Sequence, residues 1–329
     1  KAKGYPEEIT NEVWRQIKSF AGYSFAKGHS ASFAVESYQS MYLKAHYPIE
    51  FMVGVINNFG GFYRTWVYVN EARKLGGTIH LPCVNKSEYT TTLYGKDVFL
   101  GFIHIQGLEE SVGMKIIEER IKNGDYTSLE NFINRTQITQ VQLELLIKID
   151  AFRFTGRNKK QLLWEALLIM NNRVPIVADS HDLFEVPKEE YSLDNLEYLP
   201  FDSLFDEIEL LGFPVSRSYF DLLKTNFRGE VMAKDMIKHV GKTVRMIGNY
   251  VTKKDVRTVK GGLMAFGTFI DAEDNFFDSV NFSKSLTQYP FTGNGPYLIR
   301  GKIVEDFGFP SIEVEKMARL PIMKDTRDN

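Results

Sequence analysis

A multidomain α+β protein, helical in its N-terminal part and stranded at its C-terminal end, is what this sequence predicts. Three observations lead there. The chain has 329 residues, more than one hydrophobic core usually spans. Apolar residues recur at helical spacing through most of the chain up to about residue 149, and alternate as strands from Thr243 onward. Between the two lies a stretch with Pro175, Pro187 and Pro200 set among acids, which has the composition of a linker.

Composition narrows the class. With 43% hydrophobic and 25% charged residues the chain is that of a folded protein, and no apolar run approaches the roughly 18 residues of a membrane span. The N-terminus, Lys1-Ala2-Lys3-Gly4, lacks the apolar core of a signal peptide, and Cys83 is the single cysteine. A cytoplasmic protein without disulfides, bound to no membrane, is therefore expected. The net charge of -2 carries no signature of nucleic-acid binding by itself, but acids crowd residues 179–209 while Lys and Arg crowd 234–260. The acidic stretch masks a basic module in the total.

Taken in order, Ile9, Val13, Trp14 and Ile17 stand at helical spacing, and an aromatic-rich helical run from Phe33 to Tyr47 closes at Pro48. A second amphipathic stretch, 63–75, ends at Gly76-Gly77 and leads to a short extended segment, 78–82. Residues 98–105 alternate like a strand, and helices follow at about 111–121, 128–135 and 140–149, the first stopped by Asn123-Gly124. A short helix is expected at 203–211. Strands at 244–251, 264–271, 276–282 and 297–304, separated by polar or Gly-rich turns, suggest a small β-barrel of the oligonucleotide-binding (OB) type.

Four segments resemble one family. Phe25-Ala26-Lys27-Gly28-His29-Ser30-Ala31-Ser32-Phe33-Ala34, continued by Tyr38-Gln39 and by Tyr42-Leu43-Lys44-Ala45-His46-Tyr47-Pro48, resembles the fingers signature of the bacterial C-family DNA polymerases, the DNA polymerase III alpha type. Leu81-Pro82-Cys83-Val84-Asn85-Lys86-Ser87 is similar to a turn of that family, Ile105-Gln106-Gly107-Leu108-Glu109 to its helix-hairpin-helix loop, and Glu209-Leu210-Leu211-Gly212-Phe213-Pro214-Val215-Ser216 to the segment before its OB-fold. The resemblance implies four parts: the C-terminal end of the helical fingers at 1–95, a helix-hairpin-helix module at 96–170, an acidic linker with a short helix at 171–235, and an OB-fold at 236–329. Asn58-Phe59-Gly60-Gly61-Phe62-Tyr63 and a chain stopping soon after the barrel look like the error-prone branch.

In that family the palm with its metal-binding aspartates, and the PHP part, precede the fingers signature. The resemblance thus implies a C-terminal part of a DNA-directed DNA polymerase, whose Mg would be bound outside this chain and whose catalytic residues are not among these 329. Such a part alone is expected to be inactive while binding primer-template and single-stranded DNA. The alternative is a stand-alone scaffold for DNA or tRNA with no enzymatic activity.

The candidate binding residues follow. Lys27 and His29 sit in a glycine-containing turn ahead of a helix, where a cation and free amides suit the phosphates of an incoming nucleotide; otherwise Lys27 is solvated and His29 caps the helix. Gly107 would let the hairpin amides approach a DNA phosphate, with Lys115 and Arg120 as cations, although Glu109 stands where the motif usually has a second glycine. The alternative is a structural hairpin, which is how the tandem segment Leu146 to Phe152 reads. In the barrel, Lys253, Lys254, Arg257 and Lys260 form the basic tip of a hairpin, and Phe266, Phe269, Phe276 and Phe282 are available to stack on bases or to fill the core. Ser180-His181-Asp182-Leu183-Phe184 resembles the pentapeptide by which bacterial polymerases dock on the sliding clamp. With six histidines and one cysteine, none at ligand spacing, no metal site is expected in the chain.

Overall fold

The computed structural model describes residues 4, 6–21, 27–171, 201–258, 261–325 and 327. The chain divides into two compact units, Lys1–Phe51 and Met52–Asn329.

The first unit contains α1 (Glu7–Ala21) and α2 (Lys27–His46), and the division from the second falls within α3 (Pro48–Asn57). Glu7 and Glu8 in the first turn of α1 and Lys44 and His46 in the last turn of α2 suit the helix dipoles. Pro48 ends one helix and opens the next, because its ring denies α2 another amide yet fits the first turn of α3. Ile9, Val13, Trp14 and Ile17 of α1 and Phe33, Tyr38 and Met41 of α2 are all exposed.

In the second unit α4 (Thr65–Lys74) leads to β1 (Thr78–His80), then β2 (Thr92–Tyr94) and β3 (Asp97–Phe99), which form a small sheet in the order β1-β3-β2. The expected strand at 98–105 stops at Phe99 and becomes a 3-10 turn at Phe102–His104. The cause is a crossing at Gly101, where a Cβ would lie 2.3 Å from the Thr90 carbonyl carbon; Leu100, Phe102 and Ile105 then all turn into one core. Helices α5 (Glu110–Asn123), α6 (Leu129–Thr136), α7 (Gln140–Lys148) and α8 (Lys159–Asn171) follow, and α9 (Asp202–Leu211) comes after the segment 172–200. Gly124 at φ 78° ends α5, and the Ser128 hydroxyl accepts the Asn131 amide to cap α6. The helix α8 was not expected from the sequence.

One core runs from Ile56 and Val69 through Phe102, Phe132, Leu146 and Phe152 to Leu210 and Val215. The sheet and this core have residues on both sides of the expected boundary at 95/96, and residues from the short helix expected after the acidic linker, Leu210 and Leu211, pack into the same core with Phe213 and Val215. Two buried charges join α8 to α9: Lys159 Nζ lies 2.9 Å from the Asp206 carboxylate.

The C-terminal part is a closed five-stranded barrel in the order β4-β5-β6-β8-β7, with β4 at Thr243–Arg257, β5 at Leu263–Ile270, β6 at Phe276–Asn281, β7 at Pro296–Asp306 and β8 at Phe309–Arg319. The short helix α10 (Ser283–Gln288) links β6 to β7. This is the OB-type topology. The long β4 pairs with β7 through its first half and with β5 through its second, turning the corner at a bulge between Tyr250 and Thr252. Four strands were expected; β8 escaped because Glu313, Glu315, Lys316 and Arg319 dilute its alternation, although Ile312, Val314 and Met317 face the core. No helix among the described residues is long and apolar enough to cross a membrane.

Candidate nucleic-acid interface

The hairpin ahead of α5 is built around Gly107, whose φ of 83° is open to glycine and strained for other residues. The Gln142 carboxamide spans its mouth, donating to the Gly107 carbonyl at 2.9 Å and accepting the Glu109 amide at 2.8 Å. The Gln106 amide donates to Leu210 O and the Leu108 amide to Ile105 O. Three of the hairpin's amides, those of Gln106, Leu108 and Glu109, are thus spent inside the protein.

Lys115 is exposed on α5. Arg120 is not, and here the expectation is corrected. Its guanidinium is buried and donates to Val84 O and Ser87 O at 2.8 Å each and to the Glu88 carboxylate at 2.5 Å. Three of its five N–H donors brace the turn at 82–87 and its neighbours, and its burial keeps the guanidinium away from DNA. Arg153 is engaged similarly, donating to the Leu81 and Pro82 carbonyls, so the tandem hairpin also packs. There Asp150 takes the left-handed conformation at φ 64°, and burial raises its carboxyl above the usual range against the pull of Lys159 and Arg153.

The barrel hairpin differs. Lys253, Lys254 and Arg257 are exposed on the far half of β4, past the part that pairs with β7. Lys253 is partly neutralised by Asp255 at 2.9 Å, whereas Lys254 and Arg257 have no ion pair among the described residues. Lys260 lies outside the described residues. Lys254 sits opposite Phe266 in the register, and Phe266 is exposed, so a cation and a ring stand side by side on the outside of the barrel.

Of the other candidate stackers, Phe282 is exposed, Phe276 lies 6.0 Å from the Tyr63 ring, and Phe269 is fully buried, stacked on Phe277 and Phe291. Phe269 is core, as its inward register on β5 requires. Sequence reasoning missed Phe307 and Phe309, the most exposed aromatics of the barrel at 94% and 79%. They stand at the tip of the β7–β8 hairpin, whose turn takes left-handed values at Phe307 (φ 51°) and Gly308 (φ 84°). A phenylalanine at positive φ was the available signal, but it needs backbone angles to be seen.

Lys27 opens α2 and His29 stands in its first turn, so the expected loop there is already helix. The His29 ring meets Phe33 edge-on at 4.8 Å, one helical turn away. Ser180, His181, Asp182, Leu183 and Phe184 lie outside the described residues. Among the described residues no group of three or more His, Cys, Asp or Glu side chains could hold a metal ion.

Known proteins are similar to this chain in sequence. A helix-hairpin-helix motif family matches residues 76–162, the stretch from the small sheet into α8. The chain is 32% identical to DNA polymerase III subunit alpha of Aquifex aeolicus over 82% of its length and 23% of that protein. It is 32% identical to an error-prone DNA polymerase of Bdellovibrio bacteriovorus over 68% of its length and 22% of that protein. Against DNA polymerase III subunit alpha of Thermus aquaticus it is 28% identical over 98% of its length and 27% of that protein. The chain spans about a quarter of the curated relatives it matches. With similarity along nearly its whole length, a matching hairpin module and an OB-type barrel after it, the chain belongs, as a segment, to the bacterial DNA polymerase III alpha family.

Proposed function

We propose that this chain is the DNA-holding C-terminal part of a DNA-directed DNA polymerase, and that its barrel hairpin contacts single-stranded DNA. The observation that carries the reading is the juxtaposition of the free cation Lys254 with exposed Phe266, a pairing of backbone attraction and base stacking that single strands require, with the second free cation Arg257 three residues further along the same strand. Nucleotidyl transfer falls to carboxylates and Mg outside this chain, in the palm and PHP part of the same polymerase. Lys27 and His29 would then act only when that part is joined. The peptide Ser180 to Phe184 docks the polymerase on the sliding clamp by inserting Leu183 and Phe184 into an apolar pocket.

The test is titration of single-stranded DNA at several salt concentrations against the chain and against Lys253→Ala, Lys254→Ala, Arg257→Ala. Each lost phosphate contact lowers the log–log salt slope by about 0.7 on single strands. The triple variant is expected to bind more weakly with a slope reduced by about 1.4 to 2.1. Equal slopes would remove the hairpin from the interface, and tRNA displacing the DNA at equal concentration would favour an RNA scaffold.

A further inference from the structure

Where α4 faces the barrel, the second unit holds a cavity of about 210 Å³. Trp66, Asn70 and Arg73 reach it from one face of α4, four and three residues apart; Asn249 comes from β4, Asp274 from the β5–β6 turn, and Arg217 from the segment after α9. None of these six belongs to the basic hairpin.

The polar groups inside are only partly spent: Arg73 donates to the Val215 carbonyl at 2.8 Å and to Asn70. Asn70 is 6% exposed; its Oδ1 accepts from Arg73 Nη1 at 3.2 Å, but its Nδ2 is buried without a partner. Asn249 is 5% exposed, and its carboxamide makes no hydrogen bond among the described residues. Folded proteins pair nearly all buried polar groups, so the orphaned Asn70 amide, with the unbonded Asn249 carboxamide lining the same cavity, points to a ligand that pairs them. The first offers a donor, the second a donor and an acceptor. Trp66 adds a flat apolar wall, and exposed Arg73 and Arg217 supply positive charge where the cavity meets solvent.

A heterocycle with donors and acceptors on its edge and an anion on its tail matches this set. Carboxamides read base edges two bonds at a time, and an indole stacks on any base. The cavity is smaller than the roughly 300–1,000 Å³ that drug-sized ligands occupy, so it takes one ring system and leaves sugar and phosphate at the mouth. We infer that this cavity binds a single nucleobase of a nucleotide, with Asn70 and Asn249 on the base edge, Trp66 against its face and Arg217 at the phosphate. The nucleotide is either free or an unstacked residue of a single strand. The inference goes beyond the proposed function, since it needs neither the barrel hairpin nor polymerisation.

The experiment uses the 329-residue chain carrying Lys253→Ala, Lys254→Ala and Arg257→Ala, so that hairpin binding does not contribute. Tryptophan fluorescence is followed during titration with dAMP, dTMP, inorganic phosphate and a tetranucleotide, and Trp66→Phe identifies the reporting indole. Saturable change with nucleotide and none with phosphate is expected. Asn70→Leu and Asn249→Leu are each expected to weaken binding at least about tenfold. Asn70→Leu should also melt at or above the parent temperature, because it deletes an unpaired donor; a merely structural asparagine would lower it. Monophosphates binding as tightly as the tetranucleotide assign the free nucleotide, and binding of the tetranucleotide alone assigns the strand. No saturation up to about 10 mM, or unchanged affinity in the Leu variants, overturns the inference and leaves a water-filled crevice. If Asn70→Leu does not fold, Asn249→Leu and Trp66→Phe decide it.

Discussion

At the scale of single residues, burial decides which polar groups act and which only hold the fold. Arg120 and Lys254 are both cations in stretches that suit DNA, yet one spends its donors on two carbonyls and a carboxylate while the other stands free. His104 is a second buried case. Its ring pairs with the Thr91 hydroxyl at 2.9 Å, and burial lowers its pKa from 6.5 to about 4. The folded state therefore prefers the neutral ring. Its contribution to stability is full above pH 6.5 and is lost progressively as pH falls toward 4, about 3 kcal/mol across that window. Urea midpoints should be level from pH 8 to about 7 and fall below 6.5, and His104→Gln should flatten that decline. An unchanged pH dependence in the variant would assign the acid sensitivity elsewhere.

At the scale of elements, the β7–β8 hairpin combines strain with exposure. Phe307 sits at φ 51°, where bulky side chains are disfavoured, and with 94% of it exposed it recovers little from packing. Strain of this kind is retained where the side chain serves something outside the fold. Phe307→Asn relieves the strain, because asparagine tolerates the left-handed region, and is expected to stabilise the chain by up to about 1 kcal/mol. The same change together with Phe309→Ala should weaken single-strand binding by about 1–3 kcal/mol per stacking ring lost. Stability rising while affinity falls is the diagnostic pair, read by urea unfolding and DNA titration; unchanged affinity would exclude both rings from the interface.

At the scale of the whole molecule, the helical core and the barrel core of the second unit are separate clusters that meet at a small seam. Val67 of α4 is 1% exposed there, packed with Val251 of β4 and Ile270 of β5, while Lys74 Nζ donates to the Asp274 carbonyl at 2.9 Å. Val67→Asp places an unpaired charge in that seam at a cost of at least about 3 kcal/mol, without touching either core. Calorimetry should then resolve two transitions where the parent chain has one, the barrel and the helical body each melting on its own core. A single transition shifted downward would mean that the seam is part of one cooperative unit.

Element type was largely legible in the sequence, since periodicity and end signals are local. Asn123-Gly124 ends a helix, Ser128 caps one and Pro48 separates two, because each acts through its own backbone and nearest neighbours. The family segments likewise declared the class of the protein before any coordinates. What only the tertiary structure decided was how chain segments distant in sequence share a core or a cavity. Gly101 could pass for a strand residue until Thr90 crossed it, and Arg120 for a DNA ligand until the turn at 82–87 closed over it. Asn70 and Asn249, 179 positions apart by their numbers, have no local pattern that pairs them. Spacing along the chain specifies which face of an element a side chain occupies, and the packing of other elements against that face decides whether it meets solvent, carbonyl or cavity.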